Sequence, residues 1–402
     1  MSSSPVSSAE RRAVGAVFLA FGADMGTFAS RLPWIADRLH LTSGLLGVSV
    51  GLMAAVGALI AIPFAARLVH HYGPRASTRV LISATGATLV LPPFAPSVLV
   101  LAAVMLLTGA VYGTCDNAIN AQGVEAEQRI GRSIMSGLHG MWSVGVLAGA
   151  LIGSLAAREQ VSPRVQFAAM AAVIAIGGVA ATRWFVGASP AARAGVDAPR
   201  FVWPRGIILL IGLVGFAAIF VETAGNDWSA VFMRWVLHAS QAQAALATSF
   251  FAGSMAAGRL GGDAVVRRIG PTLCVRVCGT VGTFGCLLVA ISPSPAPALA
   301  GFMLIGFGVS VVIPLVFAAA GHSGASPALS VAGVATVSYG AGLAAPGAIG
   351  GLADLSSLRV AFAAAALVAC AIAVGAGLLA RPDAVSSPAE RAPAQAVRKR
   401  SV

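Results

Sequence analysis

Long apolar runs dominate the chain, and polar residues gather in the short breaks between them. A helix that crosses a bilayer needs about 20 mostly apolar residues. Twelve runs meet that need, near 13–35, 44–66, 78–95, 98–121, 134–157, 165–186, 206–227, 243–264, 272–291, 296–320, 328–352 and 358–380. The pattern predicts an all-α polytopic membrane protein with twelve transmembrane helices. The first run holds Asp24 and lacks a small-residue cleavage site, so it reads as a retained helix rather than a signal peptide.

The pattern also repeats. Gly73 and Gly270 lie 197 residues apart, each in a Gly-Pro step after a basic or His-rich stretch. The same offset pairs Pro96 with Pro293, Gly109 with Gly306, Gly145 with Gly342 and Gly153 with Gly350. One offset serving loops and helices alike predicts two pseudo-symmetric six-helix bundles, related by an axis along the membrane normal. The bundles are expected at 1–186 and 206–380. A Pro- and Arg-bearing linker, 187–205, joins them, and a Pro-, Ser- and Arg-rich tail, 381–402, reads as disordered.

Composition narrows the class. Hydrophobic residues make up 57% and charged residues 10%, against about 25% charged in a soluble domain. A soluble enzyme, a disordered chain and a disulfide scaffold are excluded. The net charge of +12 first suggests nucleic acid. The basic residues sit in breaks between runs, with no basic face, so no nucleic-acid partner is expected. Their distribution instead sets topology. With the N-terminus in the cytoplasm, 20 of the 26 Lys and Arg residues fall on the inner side, as the positive-inside bias demands. The expected location is a bacterial inner membrane, multi-pass, with both termini cytoplasmic. Cys115, Cys274, Cys278, Cys286 and Cys370 lie in or beside apolar runs and read as packing thiols. No phosphate-binding loop, metal-ligand spacing or Ser-His-Asp set is evident, so neither enzyme activity nor a cofactor or metal is expected.

Twelve helices, the duplication and a basic loop between helices two and three resemble the major facilitator superfamily. The second half keeps Gly258-Arg259, Asp263, Arg267-Arg268 and Gly270 of that family's loop signature. The first half keeps Gly73 and Arg75, but has Ala66 for the first Gly and His70-His71 where Asp-Arg is usual. Ser30-Arg-Leu-Pro33, Gly113-Thr-Cys-Asp-Asn-Ala-Ile-Asn120, Met135-Ser-Gly-Leu-His-Gly-Met-Trp-Ser143 and Glu222-Thr-Ala-Gly-Asn-Asp-Trp-Ser229 narrow the resemblance. They are similar to the bacterial branch that includes YbjJ-type and MosC-type membrane proteins, itself distantly similar to fucose–proton symporters. The resemblance implies a monomer working by alternating access, with helices 1, 4, 7 and 10 lining a central cavity.

Charges deep in a bilayer cost several kcal/mol, so such residues are functional candidates. Apolar surroundings favour the neutral form of a carboxyl group, which suits proton exchange. Glu222, mid-way along the seventh run, is the first proton-coupling candidate, against a structural hydrogen bond to a neighbouring helix. Asp24 and Asp116 join it, matched by helix to the membrane acids of fucose–proton symporters. Arg31 is the structural alternative for Asp24, and capping of Arg129 or a gate the alternative for Asp116. His139 suits a proton relay, a substrate contact or neutral packing. Asn117, Asn120 and Asn226 suit hydrogen bonds to a hydroxylated substrate, and Trp142, Trp228 and Tyr339 suit stacking on it. Arg75, Arg259 and Asp263 are assigned to gating, with Arg259 and Asp263 four apart as an ion-pair element. Gly145, Gly149 and Gly153 have the spacing of close helix packing. Pro314, Pro346 and the glycines beside Pro346 mark bends. The expected function is proton-coupled transport of a small polar solute such as a sugar, polyol or inositol derivative. Proton-driven efflux of a lipophilic compound is the rival transporter reading, and a non-transporting membrane sensor the rival of another class.

Overall fold

A computed structural model describes residues 5–131, 134–185, 204–323 and 326–380. The first predicted run is α1 (Pro5–Arg38). The second and third are carried by α2 (Ser43–Leu46), a π-helical segment (Gly47–Leu52) and α3 (Met53–Leu89). Then come α4 (Val98–Ile130), α5 (Met135–Arg158) and α6 (Pro163–Ala181). The second half holds α7 (Ile207–Trp235), α8 (Gln241–Ile269), α9 (Pro271–Ile291), α10 (Pro295–Val309), α11 (Val312–Gly321), α12 (Pro327–Leu355) and α13 (Leu358–Gly375). No strand occurs among the described residues. Helices fit the bilayer because each satisfies its own backbone hydrogen bonds. Among the described residues, ten helical stretches are long and apolar enough to cross it. The predicted runs 78–95 and 243–264 are not among the ten, although helix covers 78–89 of the first and all of the second. Leu99, Ile176, Leu367 and Val374 are among the large side chains left on the outer surface, where lipid replaces water as their solvent.

The duplication reappears in backbone geometry. Gly73 has φ 78° and ψ 160°, and Gly270 has φ 78° and ψ 161°. Each turns one helix directly into the next, in a left-handed conformation that only Gly adopts cheaply. Two helices therefore meet at Gly73 inside α3, where the runs predicted a longer break. Ser97 and Ser294 precede α4 and α10 with matching extended backbones, φ −149° and −152°. Arginines clamp equivalent carbonyls in both halves. Arg38 donates to the Ala95 carbonyl at 2.7 Å, and Arg359 to the Ser292 carbonyl at 2.7 Å.

One end of the bundle carries the α1–α2, α7–α8 and α12–α13 turns, and is called the hairpin end. The opposite, terminal end carries the start of α1, Gly73, Gly206 and Gly270. The halves meet closely at the hairpin end. Asp37 accepts from Arg234 Nε at 3.0 Å and Trp235 Nε1 at 2.8 Å. Thr42 Oγ1 donates to Asp354 at 2.7 Å while its oxygen caps α2. Pro346 packs where side chains at Gly47 and Gly51 would otherwise stand. A second seam runs along α5 and α8, from the Ser154–Ala242 hydrogen bond at 2.8 Å to Leu260 over Gly140. At the terminal end, among the described residues, no extensive packing joins α4 to α11 or α12. The bundle is shut at the hairpin end, and toward the terminal end the described contacts between the halves run along α5 and α8.

The tenth predicted run is broken into α10 and α11, with Pro314 in the first turn of α11. Gly145 and Gly149 lie against the backbone carbonyls of Leu19 and Ala23 on α1, and Gly153 against Ser30. Gly340, Gly342 and Gly347 face open space. The linker up to residue 203, the tail 381–402 and the side chains of Ala66 and His70 lie outside the described residues.

Candidate functional site

A cavity of about 380 Å³ lies between the halves, beneath the closed hairpin end. That is the size range of small-molecule sites. Its wall comes from α1, α2, the π-helical segment, α3, α4, α7 and α12. Phe28, Leu32, Val50 and Met105 make much of it apolar. Asp24, Thr108, Tyr112, Thr223, Asp227 and Trp228 supply its polar groups. Asp24 is 4% exposed, and its Oδ1 has no hydrogen-bond partner among the described residues. Arg31 does not serve it: its Nε donates to Gln166 at 2.7 Å and its Nη2 to the Val161 carbonyl at 3.0 Å. That removes the structural partner weighed for Asp24.

A polar chain continues from the cavity toward the terminal end. Tyr112 stacks on Phe21 with ring centroids 4.0 Å apart, and its hydroxyl accepts from Trp142 Nε1 at 3.2 Å. The Arg259 guanidinium lies 5.6 Å from the Trp142 ring centre. Arg259 Nη2 donates to Glu222 Oε1 at 3.0 Å, and Nη1 to Ser143 Oγ at 2.8 Å. Ser143 Oγ in turn donates to the His139 carbonyl, and the His139 ring meets Phe18 edge-on at 5.5 Å. This corrects the pairing of Arg259 with Asp263. Spacing of four puts both residues on one face of α8, but the long Arg259 side chain reaches inward to Glu222. Asp263 stays exposed beside a smaller cavity that it shares with Arg259, Arg267 and Ser310. Arg75 likewise has no partner across the halves among the described residues; its Nη2 donates to the Arg183 carbonyl at 3.1 Å within its own half.

Asp24 and Glu222 stand one residue off the repeat register. At 1.5 Å per residue both lie about 20 Å in from the hairpin end of their helices. The two proton-coupling candidates are therefore near-equivalents from the two halves. Asp116 sits one turn beyond Tyr112 on α4, and Asn120 donates to its carboxylate at 3.0 Å. It does not cap Arg129, which pairs with Glu10 and Glu125. Asn117 is exposed and returns its amide to the Gly113 carbonyl at 2.8 Å. Tyr339 is 61% exposed and its ring lies tilted against Phe317, with centroids 6.1 Å apart. Asn226 is buried and donates to Asp227 at 2.8 Å. Trp228 is buried on the cavity wall, and its Nε1 has no partner among the described residues.

Sequence reasoning missed Tyr112, Asp227, Ser143 and Gln166. Tyr112 had a signal: it lies four residues before Asp116, on the same helical face. Asp227 was visible as a second acid in α7. Ser143 and Gln166 had none, because a lone polar residue in an apolar run is silent about its facing neighbour.

The match to known proteins agrees with this architecture. The model of the Major Facilitator Superfamily matches residues 14–345. An uncharacterised MFS-type transporter of Yersinia pestis is 35% identical over 373 residues, spanning 90% of this chain and 94% of its own. An uncharacterised transporter of Sinorhizobium fredii is 33% identical, with 92% and 97% covered. The membrane protein MosC of Rhizobium meliloti is 27% identical, with 89% and 88% covered. Among solved structures, a D-xylose-proton symporter aligns with a TM-score of 0.73 at 14% identity, covering 92% of this chain and 96% of its own. A point mutant of the nucleoside transporter NupG aligns with 0.72 at 13% identity, covering 92% and 99%.

Proposed function

This chain belongs to the major facilitator superfamily, and from that premise we propose that it is a proton-coupled transporter of a small polar solute. The halves rock about the cavity and expose it to one side at a time. The terminal end, with both chain termini, faces the cytoplasm of a bacterial inner membrane, as the basic residues in its loops favour. With the hairpin end shut, the state is inward-facing. The protein works as a monomer, with the solute, protons and surrounding lipid as its partners.

The observation that carries the reading is the bridge from Glu222 through Arg259 to Ser143. Arg259 and Glu222 belong to the second half and Ser143 to the first. The pair is only 13% and 21% exposed at its side chains, so its charges are poorly hydrated and depend on each other. A proton on Glu222 removes the charge that anchors Arg259. The guanidinium is then free to leave Ser143, and a contact across the halves is lost. Protonation is thereby linked to the rocking motion, and His139, Asp116 and Tyr339 line the aqueous path to the site. Asp116 with Asn120, and Asn117 beside them, suit hydroxyl groups entering from that side. The apolar share of the wall favours a second reading, export of a more lipophilic compound through the same site.

In proteoliposomes, Glu222→Gln is expected to abolish proton-driven uphill accumulation while exchange down a gradient continues. Wild-type accumulation by that variant would remove Glu222 from the coupling step.

A further inference from the structure

The cavity wall holds two carboxylates, Asp24 and Asp227, and among the described residues no Arg, Lys or His. The basic side chains nearest in the polar network are committed elsewhere: Arg259 to Glu222 and Ser143, and Arg31 to Gln166 and Val161. Three buried polar atoms of residues on this wall have no hydrogen-bond partner among the described residues: Asp24 Oδ1, Thr108 Oγ1 and Trp228 Nε1. Buried polar groups are nearly always hydrogen-bonded, so three unpartnered groups on the residues of one cavity wall call for a partner there. Protonation would remove the charge of Asp24, but it would not supply Thr108 or Trp228 with partners. Nor would it explain why a second acid, Asp227, faces the same space from the other half without a cation.

We propose that the solute carried in this cavity is a compact organic cation, a protonated amine whose ammonium group is held by Asp24 in the field of Asp227. The inference rests on the transporter reading and names the class of its substrate. An ammonium group offers donors only, which suits carboxylate oxygens. Like-charge repulsion from two acids works against a carboxylate or phosphate solute. Phe28, Tyr112 and Trp228 on the wall add aromatic rings of the kind that attract cations. Thr108 and the Trp228 indole N–H remain for a hydroxyl or ether oxygen on the body of the same molecule. The apolar remainder, Leu32, Val50 and Met105, packs its carbon skeleton. Asp24 comes from the first half and Asp227 from the second, so the ligand is gripped by both moving bodies.

The test is calorimetric titration of the protein in lipid nanodiscs with matched probes. One set is cyclohexylamine, cyclohexanol and cyclohexanecarboxylate; the other is glucosamine, glucose and glucuronate. Binding is expected from an amine and not from its neutral or anionic mate. Asp24→Asn should weaken amine binding about tenfold or more, the worth of a charge-assisted hydrogen bond. Asp227→Asn should weaken it by less. Binding of a neutral or anionic probe as tight as its amine overturns the inference, as does the absence of amine binding. The amine-to-alcohol ratio in the wild type decides the question even where a variant fails to fold. A neutral probe that binds and drives Glu222-dependent proton uptake would sink the cation assignment and leave the transporter reading standing. Amine binding with no proton movement in proteoliposomes would do the reverse.

Discussion

Arg259 ties the two halves to one titratable group. Its guanidinium makes two hydrogen bonds to two different helices and lies over a third side chain, Trp142. A planar fork with several donors can do this, and a lysine ammonium on a flexible stem cannot hold the same geometry. Arg259→Ala would strand Glu222 as a poorly hydrated charge. For a fully buried pair, losing one partner costs about 3–5 kcal/mol, and the partial exposure of Glu222 lowers that here. The double variant Arg259→Ala with Glu222→Gln removes the stranded charge. Its melting temperature is expected to exceed that of Arg259→Ala alone, and a melting temperature equal to or below the single variant would show that the two side chains are not coupled. Sequence spacing placed Arg259 correctly on α8 but paired it with the wrong acid. A partner four residues away is visible in one helix. A partner on a facing helix depends on packing, which one helix cannot display.

At the scale of elements, the repeat offers an internal comparison. Gly145 and Gly342 are equivalent by sequence, yet a side chain at Gly145 would strike the Leu19 carbonyl, while Gly342 has open space. Gly145→Ala is expected to separate α5 from α1 and lower thermal stability sharply. Gly342→Ala is expected to be neutral or to stabilise by about 0.5–1 kcal/mol through helix propensity alone. Melting curves of the two variants check this, and equal losses would show that the halves pack alike. The helices and their duplication were legible because an apolar length and a repeated Gly-Pro step are local signals. The meeting of two helices at Gly73 and the break between α10 and α11 were less so. Each depends on a backbone turn within one or two residues, which an apolar run can hide. The π-helical segment Gly47–Leu52 left no mark in the pattern either. It brings Gly47 and Gly51 beneath Pro346 of α12, a contact made only by the assembled halves.

For the whole molecule, function follows from an asymmetry between two similar halves. The hairpin end is held by Asp37 with Arg234 and Trp235, and by Thr42 with Asp354. Toward the terminal end the halves are joined along α5 and α8, where Arg259 reaches Ser143 and Leu260 covers Gly140. Alternating access requires the first set of contacts to break when the second side closes. The most direct test fixes the observed state. Thr42→Cys and Asp354→Cys, with the five native cysteines replaced by Ser, place two thiols where a hydrogen bond now joins the side chains. Thr223→Cys then reports from the cavity through a membrane-impermeant maleimide applied to right-side-out and inside-out vesicles. The oxidised protein is expected to be labelled from the cytoplasmic side alone, and reduction to restore labelling from both sides. Labelling of the oxidised protein from the outer side would contradict alternating access about this cavity.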